Sequence, residues 1–375
     1  MRKGIFIIGS ILILCVAVFF LTAKQEFHRE DTDTIVLGFI APLTGDASLY
    51  GEPKRNTVEL AVAEINIAGG INGHLLEVLY EDGKCDGYRA TQAAQMLIEA
   101  GVEIILGGFC SNESVSAEPI TTEAEVFLFS AGSSSPDLTD VSPFFARIYP
   151  SDASQGVVLA NSAYARGWRT VAFMQEQLDY PLGIYNTFRQ RFTALGGSVI
   201  SETFPTSQRD FGDAIRRLQQ QSPDALFVDT QTSVAAARII EEVSNNEWSV
   251  PLILSDSVAA DEQFIAENAV ALNGAIAALF SVDESNERFI HLEKSYEEQY
   301  GPLVYPQYMQ TVYDAVHMVA DALMAVGNDG EAVARWVREA EGWSGASGRV
   351  DIGKNGDRLG GHKLKVIRGG VLQGI

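Results

Sequence analysis

The chain has 375 residues, 46% hydrophobic and 20% charged, which is apolar material for two cores, since one core stops growing near roughly 250–300 residues. Its formal charge of −22 reflects 49 Asp and Glu against 27 Lys and Arg, and no basic stripe interrupts the acidity. Nucleic acid is therefore excluded as a partner, because binding its phosphates requires clustered Lys and Arg.

Met1-Arg2-Lys3 is a basic start, and Gly4 to Ala23 is almost unbroken apolar sequence. About 20 such residues can cross a bilayer, so 1–23 reads as a signal peptide or a retained membrane anchor. Thr22-Ala23 offers only a weak cleavage site, and Leu14 before Cys15 argues against lipidation. Residues 24–33 are polar, lack periodicity and read as a linker. The remainder is expected to be periplasmic or otherwise extracytoplasmic, touching the membrane only if the first segment is retained.

The rest alternates strand and helix. Ile35 to Ile40 is an apolar strand, and Asn56 to Ile67 carries Val58, Ala61, Val62 and Ile65 on one helical face before Gly69-Gly70 stops it. Asn72-Gly73 turns the chain into a strand over Leu76 to Tyr80. Helix 88–100, strand 102–106, helix 114–124 and strand 126–130 follow. A second series starts near Ser151: helix 154–166, strand 170–174, helix 182–195, strand 198–203, helix 211–221, strand 225–229, helix 233–245, and strands 251–254 and 274–279. Helices 287–300 and 306–326 come next. This grammar predicts an α/β protein with two doubly wound parallel-sheet lobes.

In open parallel sheets, ligands sit beyond the carboxyl ends of the strands. There the first lobe offers Pro42 to Gly51, Gly108 to Ser114 and Ala131 to Pro136; the second offers Gln175 to Pro181, Thr230 to Ser233 and Ser255 to Val258. Cys85 and Cys110 are expected to oxidise outside the cytoplasm, closing a loop of about 25 residues worth roughly 3 kcal/mol; two free buried thiols are the alternative. Ser111 and Ser133 to Ser135 have the hydroxyls to hold a small anion at helix N-termini, and would equally serve as helix caps, with Pro136 suited to the first helical position after Ser135. Asp256 at a strand end suits a cation, with Tyr180 as a hydrogen-bonding wall, or a turn cap. No metal spacing and no cofactor motif is present.

The runs GFIAPLTGDASLYGE, EINIAGGINGHLLEVLYEDGKCD, GGFCSNES, FSAGSSSPDLT and SDASQG resemble the type I periplasmic binding proteins of branched-chain amino acid ABC transporters, the Leu/Ile/Val-binding group. The resemblance implies two lobes joined by three crossings that close on a ligand by hinge motion. It divides the chain into 34–149 plus 282–341 and 150–281 plus 342–375. It assigns the ligand's carboxylate to Ser111, Gly132, Ser133 and Ser134, and its ammonium to Asp256, where the group has Glu. It also matches Tyr50 and Tyr180 to ligand-contacting tyrosines and Cys85 and Cys110 to a disulfide. Where the group has a second aromatic wall this chain has Asp229 to Ser233, so Gln231 and Thr232 are expected to hydrogen-bond a ligand more polar than leucine.

The expected function is therefore a solute-binding protein that captures an amino acid, first lobe first, and delivers it to an ABC permease. The alternative is a sensory ectodomain for an amide, urea or a related solute, which would signal through partners. An enzyme is not expected: no GxSxG, Walker A or GxGxxG pattern occurs.

Overall fold

The computed structural model describes residues 34–374; the expected export segment (1–23), with Cys15, and the linker (24–33) lie outside them. Among the described residues no helix is long and apolar enough to cross a membrane.

The first lobe opens as β1 (Thr34–Ala41), α1 (Ser48–Ile67), β2 (Leu75–Asp82), α2 (Gly87–Glu99), β3 (Ile104–Leu106), α3 (Ser111–Glu123), β4 (Phe127–Ser130) and β5 (Phe145–Arg147). Its five strands lie in the order β2-β1-β3-β4-β5, and the pairs from β1 to β5 are parallel. Central strands β3 and β4 are buried throughout, while β2 at the edge is mostly open to solvent, as expected for a sheet covered on both faces.

The second lobe runs α4 (Asp152–Ala165), β6 (Thr170–Glu176), α5 (Asp179–Ala194), β7 (Ser198–Phe204), α6 (Gly212–Gln220), β8 (Ala225–Asp229), α7 (Ser233–Asn245), β9 (Leu252–Leu254), α8 (Asp256–Ala259), α9 (Glu262–Glu267) and β10 (Ile276–Leu279). The chain then continues through α10 (Glu287–Tyr300), α11 (Pro306–Val326), α12 (Gly330–Arg338) and a short hairpin, β11 (Trp343–Gly345) and β12 (Gly348–Val350). It ends in β13 (Lys363–Arg368) and β14 (Val371–Gly374). The second sheet has the order β7-β6-β8-β9-β10-β13-β14.

Apolar packing shows which lobe each segment serves. Leu292, Val316, Val319 and Leu323 of the returning helices share one core with Leu37, Phe39, Val58 and Phe129. Ala346, Val350 and Ile352 lie in that same core. The crossing expected at Gly342 therefore falls later, since these three side chains have their apolar partners in the first lobe. Ile367 of β13 packs with Ala172, Leu226 and Leu254 in the second lobe.

Other differences are local. The second sheet is not wholly parallel: β13 pairs antiparallel with β10 and with β14, through a turn at Gly369 and Gly370, both at positive φ. The first helix begins at Ser48 rather than Asn56 and contains Pro53. A side chain at Gly51 would run into the Pro42 carbonyl, so the preceding loop folds tightly onto the first turn and commits Tyr50 to the interior.

One buried cation ties the interlobe region together. Arg147, at the end of β5 and 0% exposed, donates from Nε to Asp357 Oδ1 at 2.7 Å, from Nη1 to the Ser135 carbonyl at 2.7 Å and from Nη2 to Thr139 Oγ1 at 2.9 Å. It thus fixes the serine loop to the segment that leads into β13. Cys85 and Cys110 form a disulfide, with Cα atoms 5.3 Å apart, which pins the turn before α2 to the start of α3.

Replacing Arg147 with Met strands the Asp357 carboxylate and two buried acceptors, so urea unfolding should give a loss of about 3–5 kcal/mol; a loss under about 1 kcal/mol would remove the residue from this role. The Cys85→Ser/Cys110→Ser variant should lose about 3 kcal/mol by the same measurement, with the wild type falling to the same level on reduction. Equal stability with and without reductant would contradict it.

Candidate functional site

Strand ends from both lobes bound a tight cavity of about 20 Å³ lined by Tyr50, Phe109, Cys110, Ser111, Gly132, Ser134, Tyr149, Tyr180, Gln231, Asp256, Ser257 and Tyr308. Seven of the nine candidate ligand residues thus come together: Tyr50, Ser111, Gly132, Ser134, Tyr180, Gln231 and Asp256. Ser133 and Thr232 do not. The Ser133 hydroxyl turns into its own lobe, 2.8 Å from the Gly108 carbonyl and 2.7 Å from Ser114 Oγ. Thr232 caps α7 by accepting the Ala235 N–H. Both are adjacent in sequence to cavity residues, and the local backbone direction sends their side chains elsewhere.

The first-lobe side of the cavity is a hydroxyl surface. Ser111 is the first residue of α3, and its Oγ accepts the N–H groups of Ser134 and Ser135 at 3.2 and 3.0 Å, leaving its own proton to donate. Ser130 Oγ accepts the Gly132 and Ser133 N–H groups at 3.3 and 2.9 Å. The loop N–H groups expected to face an anion are thus used internally. Just ahead of α3 the buried Glu113 carboxylate accepts the N–H groups of Phe109 and Cys110, and that of Cys85 across the disulfide; burial raises its pKa to about 7. The donors this leaves facing the cavity are the Ser111 and Ser134 hydroxyls, beside the positive end of the α3 dipole.

The second-lobe side is acidic. Asp256, first residue of α8, accepts the Tyr149 hydroxyl at 2.7 Å and the Tyr180 hydroxyl, with His362 Nε2 at 3.7 Å. Burial by itself would raise its pKa, but His362 and the two tyrosines outweigh that and hold it below the usual carboxylate range. Asp152, at the start of α4, is fully buried and neither carboxylate oxygen has a hydrogen-bond partner among the described residues. Burial first and the Asp256 charge second push its pKa well up, against the pull of Ser134 and Arg147. Asp229, closing β8, is equally buried and unpartnered, and is raised by burial, Asp152, Asp256 and Glu176. A cation entering beside Asp256 would relieve all three, since like charges at close range disfavour joint ionisation.

The two sides touch directly. Tyr50 of α1 donates to the Ser257 carbonyl at 3.0 Å, the Asp152 N–H donates to the Ser134 carbonyl at 2.8 Å, and Arg209 pairs with Asp46 at 3.2 Å across the rim.

The aromatic surface is present, though it does not come from residues 229–233. Tyr308 of α11 lies 5.4 Å from Phe109, 5.9 Å from Tyr50 and 5.3 Å from Tyr149, ring centre to ring centre. The Phe109 ring lies flat on Gly132, where a Cβ would collide with it. Tyr149, Tyr308, Phe109, Ser257, His362 and Asp152 were not among the expected ligand residues. Tyr308 carried a usable sign, because Pro306 starts its helix and places it in the first turn. In the polar run, Gln231 does reach the cavity; its N–H donates to Glu176 Oε2 at 2.9 Å and its Oε1 is unpartnered.

Comparison with known proteins agrees with this geometry. The family model described as periplasmic binding protein matches residues 34–369. A Leu/Ile/Val-binding protein homolog 2 of Brucella abortus is 25% identical over 331 residues, covering 86% of this chain and 87% of its own. The leucine-, isoleucine-, valine-, threonine-, and alanine-binding protein of Pseudomonas aeruginosa is 26% identical over 348 residues, covering 87% of each. The crystal structure of the leucine binding protein LivK of Thermotoga maritima superposes with a TM-score of 0.82 at 25% identity, covering 90% of this chain and 97% of its own. The chain belongs to the type I periplasmic binding proteins, the extracytoplasmic, non-catalytic solute-binding components of ABC transporters to which the Leu/Ile/Val-binding proteins also belong.

Proposed function

We propose that this protein captures a free amino acid between its lobes and hands it to an ABC permease. The observation that carries this reading is the polarity of one small cavity: hydroxyl donors on the first-lobe side, and on the other Asp256 with Asp152 buried beside it. A zwitterion satisfies both ends at once. Ser111 and Ser134 donate to its carboxylate, and the first lobe binds first. Closure then brings Tyr180 and Asp256 onto the ammonium, while Tyr50 locks the first lobe to the Ser257 carbonyl.

A simple aromatic or aliphatic acid fits less well, because it offers the buried Asp256 carboxylate no ammonium to pair with. The tyrosines Tyr50, Tyr149 and Tyr308 and the partnerless Gln231 Oε1 favour a side chain with polar atoms over a purely branched aliphatic one. Residues 1–23 direct export and, if retained, hold the protein at the outer membrane surface beside the permease.

A thermal-shift panel of amino acids and small amides should show selective stabilisation by amino acids with both charged groups free, since a ligand stabilises the fold that binds it. Stabilisation by amides, urea or simple acids and not by amino acids would reject the reading. In calorimetry, Asp256→Asn should lower affinity for the selected amino acid by about 2–5 kcal/mol, the range for a buried hydrogen-bonded charge pair. Unchanged affinity would remove Asp256 from the ammonium site.

A further inference from the structure

Lys54 occupies a place that packing alone does not explain. On α1 it lies one turn after Tyr50, so both side chains share the helix face that is turned inward. It is 1% exposed. Its ammonium makes one hydrogen bond, to the Tyr50 carbonyl at 3.3 Å, and among the described residues it forms no ion pair. The rings around it are the cavity's own: Nζ lies 2.9 Å from the centre of Phe109, 4.9 Å from that of Tyr50 and 5.3 Å from that of Tyr308.

Glu113 is the carboxylate whose charge Lys54 feels most, yet its two oxygens already hold three backbone N–H groups. Lys54 therefore keeps most of its donor capacity unused behind a wall that the ligand touches. Burial of an ammonium so poorly paired is costly, and it pulls the Lys54 pKa well down.

A small void adjoins it. Phe109 and Gly132 also line this second cavity of about 10 Å³, together with Lys54, Phe39, Val58 and Val312. Phe109 thus stands as a partition between the two spaces, with the ammonium on its far face.

We infer that the ligand is an amino acid whose side chain ends in a second carboxylate, and that the Phe109 ring turns aside to let this carboxylate meet the Lys54 ammonium. This rests on the amino acid reading and deepens it. The two ends of the backbone are met by Ser111 and Ser134 and by Asp256, and the side chain extends toward the cluster of Tyr50, Phe109 and Tyr308. Among the described residues Lys54 is the cation set against those three rings. Within this scheme the site alternates sign, with hydroxyl donors, an acid cluster and a buried ammonium set at three corners. A neutral side chain would leave that ammonium unpaired in the closed form.

Calorimetry on the intact protein with L-glutamate, L-aspartate, L-glutamine and L-leucine tests this. Glutamate or aspartate should bind about ten- to a hundredfold more tightly than glutamine, the range for a hydrogen bond between charged groups. Lys54→Met, of similar length, should erase that preference while leaving glutamine affinity within about threefold of the wild type. Should the variant fail to fold, the wild-type ranking decides by itself. Glutamine or leucine binding as tightly as the acidic pair would overturn the assignment of Lys54 and leave the amino acid reading intact. Binding of none of the four would overturn both.

Discussion

The guanidinium of Arg147 is the interaction on which the interlobe architecture depends. Its Nη1 reaches the Ser135 carbonyl and its Nε the Asp357 carboxylate, so one rigid, permanently charged fork joins the anion-facing loop to the last crossing between lobes. A lysine in its place would offer a point charge without the fork's geometry. Arg358 repeats the arrangement next door, donating to the Ile148 and Arg349 carbonyls. The crossings are thereby held by charge-assisted bonds to backbone, which fix position more narrowly than apolar packing does.

On this frame the two sides of the cavity are wired differently. The hydroxyl side is consumed by its own structure: Ser130 and Ser111 satisfy the loop, and Glu113 satisfies the start of α3. Its loop is held by internal hydrogen bonds, and preorganisation of this kind lowers the ordering cost of binding. The acidic side is under-satisfied, with Asp152 and Asp229 lacking partners. Asp256 alone is well held, by Tyr149 and Tyr180. The electrostatic deficit therefore lies on the second-lobe side of the cavity.

Much of this was legible in the chain. Strand and helix alternation gave the layered fold, because buried strands and amphipathic helices leave distinct periods. Ser111, Ser134, Tyr180 and Asp256 could be found because each sits just past a strand end, where parallel sheets open their clefts. Direction within a loop was not legible: Ser133 and Ser134 are neighbours, and only backbone torsions decide which hydroxyl faces the cavity. Tyr149, Tyr308 and His362 escaped because they come from crossings and a returning helix, brought in by long-range packing that no local pattern encodes. Lys54 lies ahead of Asn56, where the helix was expected to begin, and nothing nearby in sequence announces that it belongs to a buried helix face. Past Val326 the strands are short: β11 and β12 have three residues each and β14 four, too few to set a period.

The placement of the last strands has a consequence for the timing of folding. The core that begins with Leu37 is not complete until Ile352 is in place, and that of the second sheet waits for Ile367. Domains ordinarily fold one after another as the polypeptide emerges, but here neither half can close its apolar interior until nearly all of the chain has been synthesised. A nascent chain of this kind can complete one face of its first sheet by Phe145 but leaves the other cores open through most of its elongation, which suits a member of an extracytoplasmic family that takes its shape late.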